Sequence, residues 1–368
     1  MSQEWEKNLT ATEETVRQYR EALEAAHQSG DRAEESRILS NLGIVYRELG
    51  QFARAIECHQ EALALSREIG DLQGEGTDLG NLGNVYRDLG KYQEALESYR
   101  RGLQIARRVG DRVGEGIRLG NMGLTHADMG QVAKALEHYQ GALAICREIG
   151  DRHCEGVWLG NMGNAYRSLG QAEEAIAHYR VALKVARETT DRRSEGVWLA
   201  SLGNACLDLG QTEEAITYYE EARAIARQIG DSRADASSLG NLGVVYAILG
   251  RTEEAISHYR EALAIARRIG DRRGEGIRLG NLGSVYRDLG QMDKAVECHQ
   301  QGLAIARDIG DRQSEGWRHR ELGEDYRALG QAAQAREHFA QALAIFEAVD
   351  ALQAGEIRRF LRELQENS

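Results

Sequence analysis

Leu79 to Lys91 reads LGNLGNVYRDLGK, and five periods further on Leu279 to Gln291 reads LGNLGSVYRDLGQ. The glycines that follow these strings, Gly50, Gly90, Gly130, Gly170, Gly210, Gly250, Gly290 and Gly330, recur every 40 residues. A fixed period of this length marks one supersecondary unit repeated in line. Such a unit cannot bury its apolar face alone, so it stacks on its neighbours. The expected fold is therefore an all-α solenoid, which binds along a surface and has no closed pocket for chemistry.

Within one unit, Asp71 to Gly110, the local chemistry sets the boundaries. Asp71 follows Gly70 and reads as a helix N-cap. Glu75 falls in the first turn, where the helix dipole favours a carboxylate, one residue too late for a capping box. Leu79, Leu82, Val85, Tyr86 and Leu89 follow at helical spacing. Gly90 ends that helix in the left-handed conformation. A second stripe, Tyr92, Ala95, Leu96, Tyr99, Leu103 and Ala106, runs to Gly110. Connections of two or three residues force consecutive helices to be antiparallel neighbours.

Helix pairs begin at Asp31, Asp71, Asp111, Asp151, Asp191, Asp231, Asp271 and Asp311. The predicted organisation is an N-terminal capping helix in 1–30 (its pattern spans 9–29), eight units over 31–350 and a C-terminal capping helix in 351–368. Ile357, Phe360, Leu361 and Leu364 supply the apolar stripe of that last helix. Thr190 stands where the other turns have glycine, and a β-branched residue resists positive φ. Altered geometry or a small kink is expected there, with a tolerated substitution in an unchanged turn as the alternative.

Composition narrows the function classes. The 368 residues are 42% hydrophobic and 28% charged with net charge −12, and no block of Lys or Arg occurs. That argues against nucleic acid as a partner, because phosphate-backbone binding needs clustered positive charge. No apolar run reaches the ~20 residues that span a bilayer. No basic amphipathic helix for a membrane surface is present, and MSQEWEKNLTATEE carries no leader pattern. Five cysteines, Cys58, Cys146, Cys154, Cys206 and Cys298, show no framework spacing and read as small buried or half-buried residues of a cytoplasmic protein.

The residues of the unit resemble the tetratricopeptide repeat. Leu79, Leu82, Gly83 and Tyr86 occupy the first-helix signature, and Ala95, Tyr99 and Gly102 the second; Ala62, Ala142 and Ala262 keep alanine at the last position. The period of 40 exceeds the usual 34, and the usual terminal proline is missing, so the second helix runs longer. This long variety is similar to the repeats of Pins/LGN-type adaptors, with which it shares Leu-Gly-Asn and the Ile-Gly-Asp-Arg turn, and to those of bacterial regulatory proteins and kinesin light chains. The resemblance implies a right-handed superhelix whose first helices line a concave groove. It also implies that asparagine and arginine side chains in the groove grip an extended peptide.

Thr77, Gly80, Asn84 and Arg87 share the face that the core does not use. Across units the asparagine position reads Ile44, Asn84, Leu124, Asn164, Asn204, Val244, Ser284 and Glu324. The arginine position reads Arg47, Arg87, Ala127, Arg167, Leu207, Ala247, Arg287 and Arg327. An amide both donates to and accepts from a peptide backbone, and a guanidinium matches a carboxylate. The candidate peptide-binding residues are Asn84, Arg87, Asn164, Arg167, Asn204, Ser284, Arg287 and Arg327. Recurrence of asparagine has a competing explanation in duplication of one ancestral unit. With Leu207 and Ile248 in the stretch that lacks arginine, a groove with charged ends and a greasier middle is expected. The matching peptide has acidic residues flanking apolar ones. Mid-helix Gly80, Gly120, Gly160, Gly240 and Gly280 either keep the groove floor open or allow tight packing between units.

Other chemistries find no support. His138, His178, His258 and His338 share one repeat position, and neighbours at helix-packing distances of about 8–10 Å cannot converge on one metal ion. GNLG has no preceding strand and no GxGxxG spacing, and no GxSxG occurs. Trp158 and Trp198 read as packing between units, with stacking on a ligand as the alternative. The expectation is a non-catalytic scaffold without cofactor or metal that binds an extended peptide of about 20 residues. It would be a monomer or weakly self-associating. The alternative is a regulatory or sensory subunit whose superhelix changes on ligand binding and switches an effector.

Overall fold

The structure, a computed structural model, describes residues 3–349 and 351–366, with side chains described for 14–348 and 353–364. The side chains of MSQEWEKNLTATEE as far as Glu13, on which the leader reading rests, lie outside the described residues, as do residues 350, 367 and 368. Every regular element among the described residues is a helix. In order these are α1 (Gln3–Ser29), α2 (Arg32–Glu48), α3 (Phe52–Ile69), α4 (Leu72–Asp88), α5 (Tyr92–Val109), α6 (Arg112–Asp128), α7 (Val132–Ile149), α8 (Arg152–Ser168) and α9 (Ala172–Glu188). They continue as α10 (Arg192–Asp208), α11 (Thr212–Ile229), α12 (Ser232–Ile248), α13 (Thr252–Ile269), α14 (Arg272–Asp288), α15 (Met292–Asp308), α16 (Arg312–Ala328), α17 (Ala332–Val349) and α18 (Ala351–Glu366). Among the described residues no helix is long and apolar enough to cross a membrane.

The chain forms two compact units, Met1–Ala205 and Cys206–Ser368. In the first, α2/α3, α4/α5, α6/α7 and α8/α9 pack as pairs, and α3, α5 and α7 also pack on the first helix that follows. Val16, Tyr19 and Leu23 of α1 cover the open side of the first pair, against Leu39, Leu42 and Tyr46. In the second, α12/α13, α14/α15 and α16/α17 repeat the arrangement. Ile357, Phe360 and Leu364 of α18 close it on Phe339 and Phe346, as their spacing predicts. The fold is an all-α solenoid of helix pairs with a capping helix at each end.

Local chemistry explains the elements. Each aspartate before a first helix accepts from the backbone N–H three residues on, as Asp71 does from Gly74 at 2.9 Å and Asp271 from Gly274 at 3.0 Å. The turn glycines all lie at φ between 69° and 74°, where an L side chain is strained. Thr190 takes the same conformation, φ 54°. Its turn keeps the usual bonds, with Asp191 N donating to Ala186 O at 2.9 Å as Asp111 N does to Ala106 O. The kink expected from the sequence is replaced by a strained but regular turn, because these bonds and the Asp191 cap hold it. A left-handed L residue costs about 1–2 kcal/mol, and glycine returns roughly half of that as extra freedom of the unfolded chain. Thr190→Gly is therefore expected to stabilise the protein by about 0.5–1 kcal/mol, read as a raised urea midpoint with unchanged slope.

The first-turn glutamates do more than complement a dipole. Glu115 and Glu155 are buried, and each takes an arginine from the preceding second helix, Arg107 at 2.7 Å and Arg147 at 2.8 Å. A second arginine, Arg112 or Arg152, binds the other carboxylate oxygen and continues to Glu148 or Glu188. In the second unit Arg267–Glu275 and Arg307–Glu315 repeat the latch. Each one fastens the end of one pair to the start of the next.

Glycines within helices are notches for large side chains. A Cβ on Gly83 would sit 2.5 Å from Cε1 of the fully buried Tyr99. Gly120 and Gly160 receive Trp158 and Trp198 from the next first helix, each ring stacked on a tyrosine, Tyr139 or Tyr179. Gly80, Gly240 and Gly280 receive Arg118, Arg278 and Arg318 in the same way. Of the two readings open in the sequence, packing between units is the one the contacts support.

The cysteines depart from expectation. Cys146, in the last turn of α7, and Cys154, in the first turn of α8, are joined as a disulfide with Cα atoms 5.7 Å apart. Their separation of eight residues faces them across the Gly150–Asp151 turn, at a Cα spacing within disulfide range. Cys58, Cys206 and Cys298 are buried outside disulfides. The compartment reading built on scattered thiols thus loses two of its five residues.

Candidate peptide-binding groove

Neighbouring first helices touch within each unit, α2 with α4 and α4 with α6 in the first, α12 with α14 and α14 with α16 in the second. Their uncommitted faces therefore adjoin. Between α4 and α6 that face holds a cleft of about 470 Å³, lined by Thr77, Gly80, Asn81 and Asn84 on one side and Val113, Ile117, Arg118 and Asn121 on the other. Three of the four residues that the sequence assigns to this face are in its wall. The fourth, Arg87, lies one turn beyond Asn84.

The asparagines have a structural partner that spacing did not reveal. Asn84 Oδ1 accepts the hydroxyl of Tyr99 at 2.7 Å and the amide of Asn121 at 3.1 Å. Asn164 Oδ1 accepts Tyr179 at 2.7 Å. Burial pushes the Tyr99 hydroxyl's pKa upward, so it stays protonated and donating. Asparagine at this position satisfies a tyrosine that would otherwise bury an unpaired hydroxyl. Asn204 is half-buried, and Ser284 Oγ donates to Gly280 O at 3.2 Å, back along its own helix.

The arginines are met by carboxylates of the next first helix. Arg47 bonds Asp88 at 2.6 Å, and Arg87 faces Asp128 at 3.7 Å. In the second unit Arg287 reaches Glu321 at 2.7 Å, Glu324 at 3.1 Å and Asp325 at 3.3 Å, while Arg327 pairs with Glu363 at 3.6 Å and lies over the Phe360 ring. Burial is the largest influence on the Glu321 carboxyl and raises its pKa, but the charge and hydrogen bond of Arg287, with His299 and Arg318 adding to them, together hold it below its ordinary value. Arg167 is exposed. An acidic ligand in this groove has to compete with these internal carboxylates.

The sequence reading passed over Asn81, Val113, Ile117, Arg118 and Asn121. One signal was available, because Ile117, Val157 and Val197 share a repeat position facing the groove. Ile117 and Val197 are 44% and 49% exposed. The greasy residues read from the sequence are also placed: Ile248 is 61% exposed and Leu207 half-buried. The histidine ladder packs against first-helix rings of its own pairs, His258 stacked on Tyr246 and His178 tilted against Tyr166. Among the described residues no group of three His, Cys, Asp or Glu side chains is arranged to hold a metal ion.

The sequence model of the tetratricopeptide repeat matches residues 11–68, 76–127, 117–188, 195–268 and 277–348, most of the chain. The chain belongs to the tetratricopeptide repeat family. Tetratricopeptide repeats form a family of non-catalytic scaffolds for protein and peptide interaction. No curated protein of known function matches this tetratricopeptide repeat chain in sequence. Among solved structures it is similar to the apo form of RapI, with 16% identity and a TM-score of 0.60 over 75% of this chain and 99% of that one. It is also similar to a signal transduction ATPase with a tetratricopeptide repeat sensor from Pyrococcus horikoshii, with 18% identity and a TM-score of 0.62 over 85% of this chain and 48% of that one. A third is aspartyl phosphate phosphatase F of Bacillus subtilis, with 16% identity and a TM-score of 0.57 over 89% of this chain and 93% of that one. At these identities the likeness is one of fold.

Proposed function

We propose that the protein is an adaptor that holds an extended segment of a partner protein along its first helices. The observation that carries this reading is the cleft between α4 and α6, where Asn81, Asn84 and Asn121 share a wall with the exposed Val113 and Ile117. Amides match a peptide backbone, and Val113 with Ile117 offers a seat for an apolar side chain. Arg87 and Arg167 favour acidic residues on either side, in keeping with the Leu-Gly-Asn strings shared with Pins-type adaptors. The segment is an extended one with acidic residues flanking apolar ones, and the adaptor works as a monomer or weak self-associate in the cytoplasm.

The test begins with peptides selected from a random library on the full chain, followed by calorimetry with the variant Asn84→Ala, Arg87→Ala, Asn164→Ala and Arg167→Ala. Binding is expected to weaken at least about tenfold, roughly the loss of one charge-assisted hydrogen bond. Helicity by circular dichroism is expected to persist. Because Asn84 and Asn164 also serve Tyr99 and Tyr179, the Arg87→Ala, Arg167→Ala pair is measured alongside and separates grip from stability. Unchanged affinity in both variants would move the site to another face of the helices.

A further inference from the structure

The junction between α7 and α8 differs from its neighbours by two sulfur atoms. Cys146 and Cys154 stand where other junctions have small side chains: Ser66 and Gly74, Ala106 and Gly114, Ala186 and Ser194. The two positions meet in the α3–α4 junction as well, where a Cβ on Gly74 would lie 2.7 Å from Ser66 Oγ. That junction holds without sulfur through the latch of Arg67 on Glu75 at 2.8 Å, and the α7–α8 junction has the same latch, Arg147 on Glu155 at 2.8 Å. The fold therefore does not need the disulfide. Its bond spans only eight residues, and cross-links across short loops stabilise least.

The two sulfurs differ in access. Cys146, in the last turn of α7, is 1% exposed. Cys154 is half-buried in the first turn of α8, with its N–H held by Asp151 at 2.9 Å. A helix N-terminus favours a thiolate, and the adjoining Glu155 carboxylate is offset by Arg147 and Arg152. The remaining cysteines are poor competitors. Cys58 and Cys298 are buried, and burial pushes each thiol up to about 11, while Cys206 is 1% exposed.

We propose that Cys146 and Cys154 form a thiol–disulfide exchange site for small-molecule thiols of the glutathione class, with Cys154 as the entry sulfur. In reduction a glutathione thiolate attacks Cys154 Sγ. The protein S–S bond breaks, a bond from Cys154 to glutathione forms, and Cys146 leaves as a thiolate that takes up a proton. A second glutathione thiolate attacks the glutathione sulfur of this mixed disulfide and releases Cys154. Two thiols of glutathione have become one oxidised glutathione, and the protein disulfide has become two thiols. Oxidation runs the same steps in reverse, with oxidised glutathione as the oxidant. Closed, the bond ties α7 to α8 beside the latch; open, the junction is held as its neighbours are. Asn164 and Arg167 lie on α8, so the bond sets how firmly that stretch is held. Its effect on a bound segment rests on the groove reading above, whereas the exchange chemistry does not.

The full chain is equilibrated in glutathione buffers, from excess oxidised to excess reduced, then alkylated and digested for mass spectrometry. Under native conditions Cys146 and Cys154 are expected to pass together from disulfide to alkylated thiols, with Cys58, Cys206 and Cys298 unlabelled throughout. A bond that survives excess reduced glutathione, or thiols that never pair in excess oxidised glutathione, would overturn the proposal. Single variants assign the entry sulfur. Cys146→Ala is expected to trap glutathione on Cys154, and Cys154→Ser to leave Cys146 bare; an equal adduct on Cys146 refutes the assignment. Hydrogen exchange around the α7–α8 turn is expected to be at least about tenfold slower in the oxidised chain. The double variant Cys146→Ala, Cys154→Ser copies Ala186 and Ser194 of the next junction and is expected to exchange like the reduced wild type in either buffer. A redox-dependent change that persists in it belongs to another thiol and rules this site out. Affinity for a groove-selected peptide is then compared between the two redox states. A chain that cycles its disulfide but selects no peptide overturns the groove reading and leaves the exchange site standing.

Discussion

Gly120→Ala is expected to lower stability by roughly 2–3 kcal/mol, although alanine is the better helix former by about 1 kcal/mol. The added Cβ would lie 1.9 Å from Trp158 Cζ2 and 2.0 Å from Cη2, well inside contact distance. Trp158 cannot yield, being 7% exposed and stacked on Tyr139 with ring centres 5.7 Å apart. Either the ring leaves its notch or α6 and α8 separate. Gly280→Ala is the control. Its Cβ would come still closer to a neighbour, 1.3 Å from Arg318 Nη1, but that atom ends a long flexible side chain. The change there is expected to fall within about 1 kcal/mol of zero. Urea unfolding gives the totals, and hydrogen exchange should localise the Gly120→Ala loss to α6–α8. A cycle with Trp158→Ala should show strong non-additivity, since removing the ring removes the clash. Equal effects of the two glycine changes would mean that helix propensity, not the notch, governs these positions.

What could be read in the sequence divides by range. The period, the aspartate caps, the left-handed glycines and most of the leucine and tyrosine stripes depend on neighbours one to four residues away, and the structure has them where the pattern puts them; Leu89, read as the end of the first-helix core stripe, is instead 39% exposed at the helix C-cap. Gly120 could not be read, because its partner Trp158 lies 38 residues on, and the match depends on the stagger of successive pairs. Asn84 was read as a groove residue, yet its nearest partner is Tyr99, 15 residues away around a turn whose geometry the pattern does not fix. Glu75 was assigned to the helix dipole because the arginine that claims it, Arg67, sits on the preceding helix. Cys146 and Cys154 were eight residues apart in a pattern that holds no pairing code, and only the turn between α7 and α8 sets them face to face.

Asp325→Ala is expected to cost about 3–5 kcal/mol, the largest single effect in the second unit. At seven of eight equivalent positions the residue is small or apolar, as in Val85 and Val285, and here it is a fully buried carboxylate. Its Oδ2 lies 2.6 Å from Nδ1 of His299, itself wholly buried, and its Oδ1 lies 3.3 Å from Arg287. The other nitrogen of His299 is 3.2 Å from Gly280 O, so both ring nitrogens face acceptors. Removing the carboxylate strands the ring out of water with one bond lost. Arg287 is less exposed to the loss because Glu321 and Glu324 remain. The chain supplies its own repair: the preceding pair has Tyr259 and Val285 where this one has His299 and Asp325. The double variant His299→Tyr, Asp325→Val is expected to recover to within about 1.5 kcal/mol of wild type, and with the single changes His299→Tyr and Asp325→Val it gives a coupling energy of about 2 kcal/mol or more. The recovery is what separates a paired polar network from a site that merely tolerates no change. If Asp325→Ala and the double variant unfold at the same urea concentration, the His299–Asp325 bond is not what holds α15 to α16.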